Sequence, residues 1–326
     1  MASTKIPILF LIDVEPNRFF TDRRNPVPWL GYEKAFEYMK SARRRLSERT
    51  GSPAKFCWGY RMDAQIRDTY GSAEWAITHY PEYFQHFLKE GDALGVHTHP
   101  YRWDEGRQSW VIDQGNPAWV EHCVRMSVEA FQRSTDRPCD FFRFGDRWMS
   151  NEAMMLLDKL GVPYDLSLEP GTKAKPTYHP GKPYTGSIPD QRGMPCTPYR
   201  PSLGNFRLPD PKKKDGLRVI PLTTALLRPR FKFWKKSFYE TINLYLSLGR
   251  VTSLIDQALK EKRNYLTMVV RTNTFLEGEN SGHVESILNY LLKHPLASDF
   301  KFTTPAEMFS PFPDFPNVHM PWQAPR

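Results

Sequence analysis

Two pairs of residues in this 326-residue chain have the types and the spacing to do chemistry. The first is His97 and His99, in Ala93-Leu-Gly-Val-His97-Thr-His99-Pro-Tyr101-Arg-Trp103. Side chains two apart on an extended chain point to the same side, so both imidazoles face one place, a geometry that suits a divalent metal. Pro100 lacks a backbone donor and stops the strand, which puts the pair at a carboxyl-terminal strand tip, where α/β barrels and open sheets keep their sites. Taken alone, the pair fits two loop histidines bonded to nearby backbone equally well. The second pair, Asp13 and Glu15, stands in Leu11-Ile-Asp13-Val-Glu15-Pro16 and repeats the spacing and the closing proline. Two acids and two imidazoles at one end of parallel strands supply a metal site plus a spare carboxylate, the minimum for a metal-activated water and a general base. Arg143, in Phe141-Phe-Arg143-Phe-Gly145-Asp146-Arg-Trp148, would hold the base carboxylate ionised and oriented, and Arg271 ends a later strand beside Asn273. Each group has a bland reading as a helix cap or a rim ion pair. Four such coincidences at one end favour the site.

These residues need parallel strands ending together, and the hydrophobic pattern provides them. Strand-like runs at 8–13, 54–61, 93–98, 141–144, 162–167, 217–222 and 265–271 alternate with helical patterns at 30–48, 72–90, 117–133, 151–160, 237–262 and 282–294. Ser150 is placed to cap the fourth helix and Gly161 to end it, and the fifth pattern, broken near Gly249, reads as one or two helices. Seven strands alternating with helices predict an α/β fold, a distorted (β/α)7 barrel with parallel strands in a single domain spanning 1–326. The segment 169–216, dense in Pro, Gly, Lys and Tyr, is expected to pack as a long loop over the mouth of the site. His79, His86, His122, His179, His283 and His294 lack a strand-end pairing signal and receive no role.

Composition narrows the class. Hydrophobic residues are 40% and charged residues 25%, values of a globular chain. The amino-terminal apolar run is too short for a signal peptide or a membrane span, and Cys57, Cys123, Cys139 and Cys196 show no CxxC spacing, so a cytoplasmic location with reduced thiols is expected. An excess of 45 basic over 36 acidic residues gives a formal charge of +9. Much of it lies in Pro211-Lys-Lys-Lys214 and in the run from Arg228 to Lys236. The second run reads as a solvated face, with peripheral membrane contact or an acidic substrate as the alternative, while nucleic acid is not the expected partner.

The sequence resembles the polysaccharide deacetylases of the NodB-homology type, on Leu11-Ile-Asp13-Val-Glu15, Leu94-Gly-Val-His97-Thr-His99-Pro-Tyr101, Phe142-Arg143-Phe-Gly145-Asp146-Arg-Trp148, Leu160-Gly-Val-Pro-Tyr-Asp165-Leu-Ser167 and Gly216-Leu-Arg-Val-Ile-Pro221, in family order. That resemblance implies a (β/α)7 barrel that uses a divalent metal, zinc by expectation, to remove acetyl groups from N- or O-acetylated carbohydrate, with an acidic or lipid-linked sugar suggested by the charge. It implies Asp13 as catalytic base, Glu15 in place of the usual aspartate ligand and His97 as a second ligand. The family's next histidine stands four positions after the first, where this chain has Tyr101, so His99 is the substitute. The late Leu-x-His motif is replaced by Val269-Val-Arg271, and an arginine stabilises an oxyanion or binds an anion but is a poor proton donor. Tyr101, Trp103 and Trp148 are candidate sugar-stacking walls, and Asp146 is a further candidate for substrate binding. Two other classes compete: a lapsed barrel that binds glycan without metal, and a surface-binding protein using the run from Arg228 to Lys236.

Overall fold

The computed structural model describes residues 5–227, 237–276 and 278–309. Seven parallel strands form its central sheet: Ile6–Val14, Cys57–Arg61, Ala93–Thr98, Phe142–Phe144, Tyr164–Asp165, Arg218–Val219 and Leu266–Arg271. Their spatial order is sixth, fifth, fourth, third, second, first, seventh. An eighth strand, Phe300–Phe302, pairs in parallel with the start of the first. The sheet curls without closing its ladder. Between the sixth and seventh strands, Thr267 N donates to Thr223 Oγ1 at 2.8 Å, and Val269 exchanges backbone hydrogen bonds with Ile242 and Leu244 at 3.0 and 2.8 Å. The fold is thus an α/β half-barrel with seven consecutive parallel strands.

Strand alternation sorts the core. Ile8, Phe10, Ile12 and Val14 join Trp58, Tyr60, Leu94 and Val96 against the helices, while Leu9, Leu11, Cys57, Ala93, Phe141, Leu166 and Val269 fill the concave interior. The helix Pro305–Phe309 contributes Met308 and Phe309 to that inner cluster. The same alternation carries inward to Asp13, His97, Arg143 and Arg271, directly above the apolar plug. Registers align them: Asp13 stands opposite Arg271 and Gly59, and His97 opposite Arg143 and Arg61.

The helices Leu30–Thr50, Pro117–Thr135 and Gly278–Lys293 cover the expected patterns. The Ser150 hydroxyl accepts from Ala153 N at the start of Asn151–Lys159, and Gly161 follows that helix with φ 73°. Three segments differ from expectation. The pattern at 72–90 is two helices, Trp75–His79 and Pro81–Glu90, because Pro81 has no N–H to continue the first, and a further helix, Ala64–Tyr70, precedes them with Asp63 as its cap. The segment 237–262 opens with a strand, Phe238–Thr241, antiparallel to Thr224–Leu227, before the helix Leu248–Lys260. The polar loop after the third strand is a hairpin, Tyr101–Asp104 with Ser109–Asp113, anchored by buried Trp110 and Ile112. The basic run from Arg228 to Lys236 lies outside the described residues.

Candidate functional site

Asp13, Glu15, His97 and His99 converge at the carboxyl ends of the first and third strands, each at most 3% exposed. Glu15 is fixed by the seventh strand's exit: its N–H donates to Thr272 Oγ1 at 2.8 Å, and that hydroxyl donates back to the Glu15 carbonyl at 2.9 Å. His97 Nδ1 lies 3.2 Å from the Arg143 carbonyl oxygen, an obligate acceptor, so the proton of a neutral His97 sits on Nδ1 and its Nε2 is left as a lone pair. That Nε2 faces Glu15 Oε1 at 3.1 Å and His99 Nε2 at 3.0 Å, and His99 Nε2 lies 3.7 Å from Glu15 Oε1.

Three acceptor-bearing groups therefore share one small volume, with ligand atoms within 4.8 Å of one another. Glu15 Oε2 and His99 Nδ1 have no hydrogen-bond partner among the described residues. A cation at the centre reconciles lone pairs that otherwise oppose one another. Separations of 3.0, 3.1 and 3.7 Å would let Glu15 Oε1, His97 Nε2 and His99 Nε2 hold one divalent ion together. Protonation states agree with ligation. Burial opposes the charge on Glu15, yet its bonds to His97 and His99 and the charges of Arg61 and His97 hold its carboxyl well below the usual carboxylate range. Burial pushes the His99 imidazole down to about 4, with the Glu15 bond opposing and His97 and Arg61 reinforcing, so it is neutral at pH 7, the ligating form.

Asp13 stands beside this cluster and outside its ligand set. Arg143 Nε donates to both its oxygens at 3.0 and 3.2 Å, while Arg143 Nη1 donates to the Leu166 carbonyl at 2.9 Å. The guanidinium thus ties the first strand's carboxylate to the fifth strand's end. Arg271 carries no carboxylate partner among the described residues. Its guanidinium lies 5.1 Å over Tyr245 and 5.7 Å over Phe19, and its Nε has no hydrogen-bond partner among the described residues.

The four residues expected to touch substrate are placed differently. Tyr101 is fully buried, so it is a support and not an exposed wall: its ring stacks on His99 at 4.8 Å and its hydroxyl donates to Asp146 Oδ2 at 3.2 Å. Trp148 packs edge-on against Phe144 in the core, because the turn after the fourth strand directs it back toward the helices. Trp103 lies out on the hairpin against Trp110, with Arg23 over its face. Asp146 approaches His99 Nδ1 at 4.0 Å, and despite burial its carboxyl is held below its usual range by the His179 bond, the charges of His99 and His179, and the Tyr101 hydroxyl.

Several residues of the site gave no local signal. Arg61, fully buried, bonds Asp63 at 2.7 Å, Gln65 at 2.6 Å and the Phe19 carbonyl at 2.9 Å, and sends positive charge toward Glu15. Phe19 roofs the cluster, edge-on to His99 at 5.0 Å. Gly145 lies so close to His99 that a Cβ there would fall 1.8 Å from the ring. His179, given no role by its neighbours in sequence, is brought by the long loop to 3.2 Å from both Asp146 oxygens and stacks on Phe19 at 4.6 Å.

No family model matches the sequence, and no curated protein matches it. Solved structures do match. The allantoinase Puue aligns over 96% of this chain and 93% of its own, at 11% identity and a TM-score of 0.53. A Mycobacterium smegmatis protein described as a polysaccharide deacetylase aligns over 94% and 90%, at 11% identity and 0.48. A Parabacteroides distasonis protein described as a glycoside hydrolase/deacetylase aligns over 94% and 70%, at 11% identity and 0.49. The fold is that of Puue allantoinase, a curled parallel α/β half-barrel.

Proposed function

We propose that this protein is a metal-dependent hydrolase that removes acetyl groups from a carbohydrate, with zinc as the metal and an acidic sugar as the substrate class. The observation that carries the reading is the buried Glu15, His97 and His99 cluster with the separate Asp13 and Arg143 pair beside it. A divalent ion held by Glu15, His97 and His99 would supply a Lewis acid and lower the pKa of water. Asp13 is positioned as the base that takes a proton from the attacking water, and Arg143 fixes its orientation through both oxygens. Leu9, Leu11 and Phe141 beneath keep that chemistry out of bulk solvent. Arg271, without a carboxylate partner among the described residues, offers its donor fork to a substrate carboxylate or to a developing oxyanion.

The four free cysteines support a cytoplasmic location, and no helix among the described residues is long and apolar enough to cross a membrane. The test is twofold: metal content of protein purified without added metal, and acetate release from N- and O-acetylated oligosaccharides, neutral and acidic. Equimolar zinc with acetate release from an acidic sugar is expected. Protein that binds no divalent ion would overturn the reading in favour of a glycan-binding barrel.

A further inference from the structure

We propose that His179, oriented by Asp146, is the group that hands a proton to the leaving atom of the substrate, so that the long loop and not the seventh strand completes this site. The inference rests on the hydrolase reading above and deepens it. Hydrolysis of an amide or an unactivated ester needs a proton on the departing nitrogen or oxygen as well as a base for the water. Asp13 is placed for the second task. For the first, the seventh strand offers Arg271, and an arginine is by its chemistry a poor proton donor.

The chain supplies an imidazole by another route. His179 Nε2 donates toward Asp146 Oδ1 and Oδ2, each at 3.2 Å, and lies 3.3 Å from the Tyr101 hydroxyl. A carboxylate on one ring nitrogen fixes tautomer and orientation and leaves the other nitrogen, Nδ1, for proton transfer. Its ring is gripped by Phe19 face-on at 4.6 Å and Phe20 edge-on at 5.0 Å. Phe19 also meets His99 edge-on at 5.0 Å, and Asp146 approaches His99 Nδ1 at 4.0 Å, so His179 is linked to the Glu15, His97 and His99 cluster through one intervening residue on each side. While those three are buried, the His179 side chain keeps 20% of its surface open, so solvent and small molecules reach it.

The backbone that aims Asp146 is strained: Asp146 and Arg147 both have positive φ, 54° and 48°. Such conformations are unfavourable for residues with a Cβ and persist where the surrounding structure imposes them. The charged or titratable groups around the imidazole are Asp146, Tyr101, Lys182 over Phe20, and Arg61 and Arg271 over Phe19.

In the proposed step Asp13 accepts one proton from water as its oxygen bonds to the acetyl carbon. The carbon–nitrogen or carbon–oxygen bond then breaks, its electron pair goes to the departing atom, and that atom takes the His179 proton, giving amine or alcohol and acetic acid.

The experiment compares zinc-loaded wild type, His179→Ala and Asp146→Asn on an acetylated amino sugar and on nitrophenyl acetate, whose leaving group needs no proton. Expected for His179→Ala is a loss of roughly 10²–10⁴-fold on the sugar, a far smaller loss on the ester, and partial recovery on the sugar with added imidazole. Asp146→Asn should fall between the two. An equal loss on both substrates without imidazole rescue, or no loss on the sugar, overturns the role and leaves the hydrolase reading standing. Wild type inert on both substrates overturns the hydrolase reading and this role with it.

Discussion

Replacing Gly145 by alanine is the most direct probe of the proposed metal site, because it would disturb the proposed ligand His99 without touching its chemistry. A Cβ at position 145 would lie 1.8 Å from His99 Cε1, 2.1 Å from Nδ1 and 2.4 Å from Nε2, whereas real Cβ contacts essentially never fall below 3.0 Å. The ring must therefore retreat by about 1.2 Å or more, against a tolerance of about 0.2 Å in metal–ligand distances. It has nowhere to go in place, since Tyr101 stacks on it at 4.8 Å and Phe19 meets it edge-on at 5.0 Å. His99 must rotate out of the cluster. Removing the support of a ligand typically lowers affinity about 10–100-fold, and losing the ligand itself should do at least as much. The assay is zinc titration of metal-stripped protein against a competing chelator, with a thermal melt to establish folding. Gly59→Ala is the matched control: it lies on the same inner face, but its Cβ would meet His97 and Asp13 at 3.5 and 3.7 Å, ordinary contacts. Gly145→Ala binding zinc as tightly as the wild type would refute the assignment of His99 as a ligand.

Other consequences are as direct. Arg143→Met should lower turnover by roughly 10²–10⁴-fold while leaving zinc content intact, since Arg143 bonds Asp13 and not the ligands; joint loss of metal and activity would make Arg143 a structural residue. Arg271→Lys keeps the charge and loses the planar fork, so activity should drop on an acidic acetylated sugar and change little on a neutral one, and equal rates on both would end the anion-recognition role. Burial pushes the Asp165 carboxyl up to about 7 against its Ser167 bonds and the Arg143 charge. An acid whose folded value lies above its unfolded value of about 3.9 adds no penalty below that pH, destabilises increasingly up to 7, and by a constant few kcal/mol above. Asp165→Asn should therefore gain in Tm relative to wild type between pH 4 and pH 8, and a Tm difference independent of pH would refute the buried-acid reading.

What could be read along the chain was what depends on backbone period and on punctuation. The two-residue spacing of Asp13 with Glu15 and of His97 with His99, each closed by a proline, is a local property, so it fixed which way the side chains point before any partner strand was known. The alternation of apolar strands with helical patterns likewise announced seven parallel strands, and Arg143 was legible because it stands near the carboxyl end of one of them. Tertiary contacts decided the rest. His179 is 33 residues from Asp146 and 78 from Tyr101 in sequence, and nothing near it marks it; the path of an irregular loop brings the three together. Trp148 turned into the core and Tyr101 under His99 because packing against Phe144 and Asp146, and not residue type, chose their direction. Gly145 acquires its meaning only from the imidazole resting on it, and Arg61 only from the carboxylates folded around it. Periodicity is written in neighbouring residues, whereas a close approach between distant ones exists only once the sheet has curled.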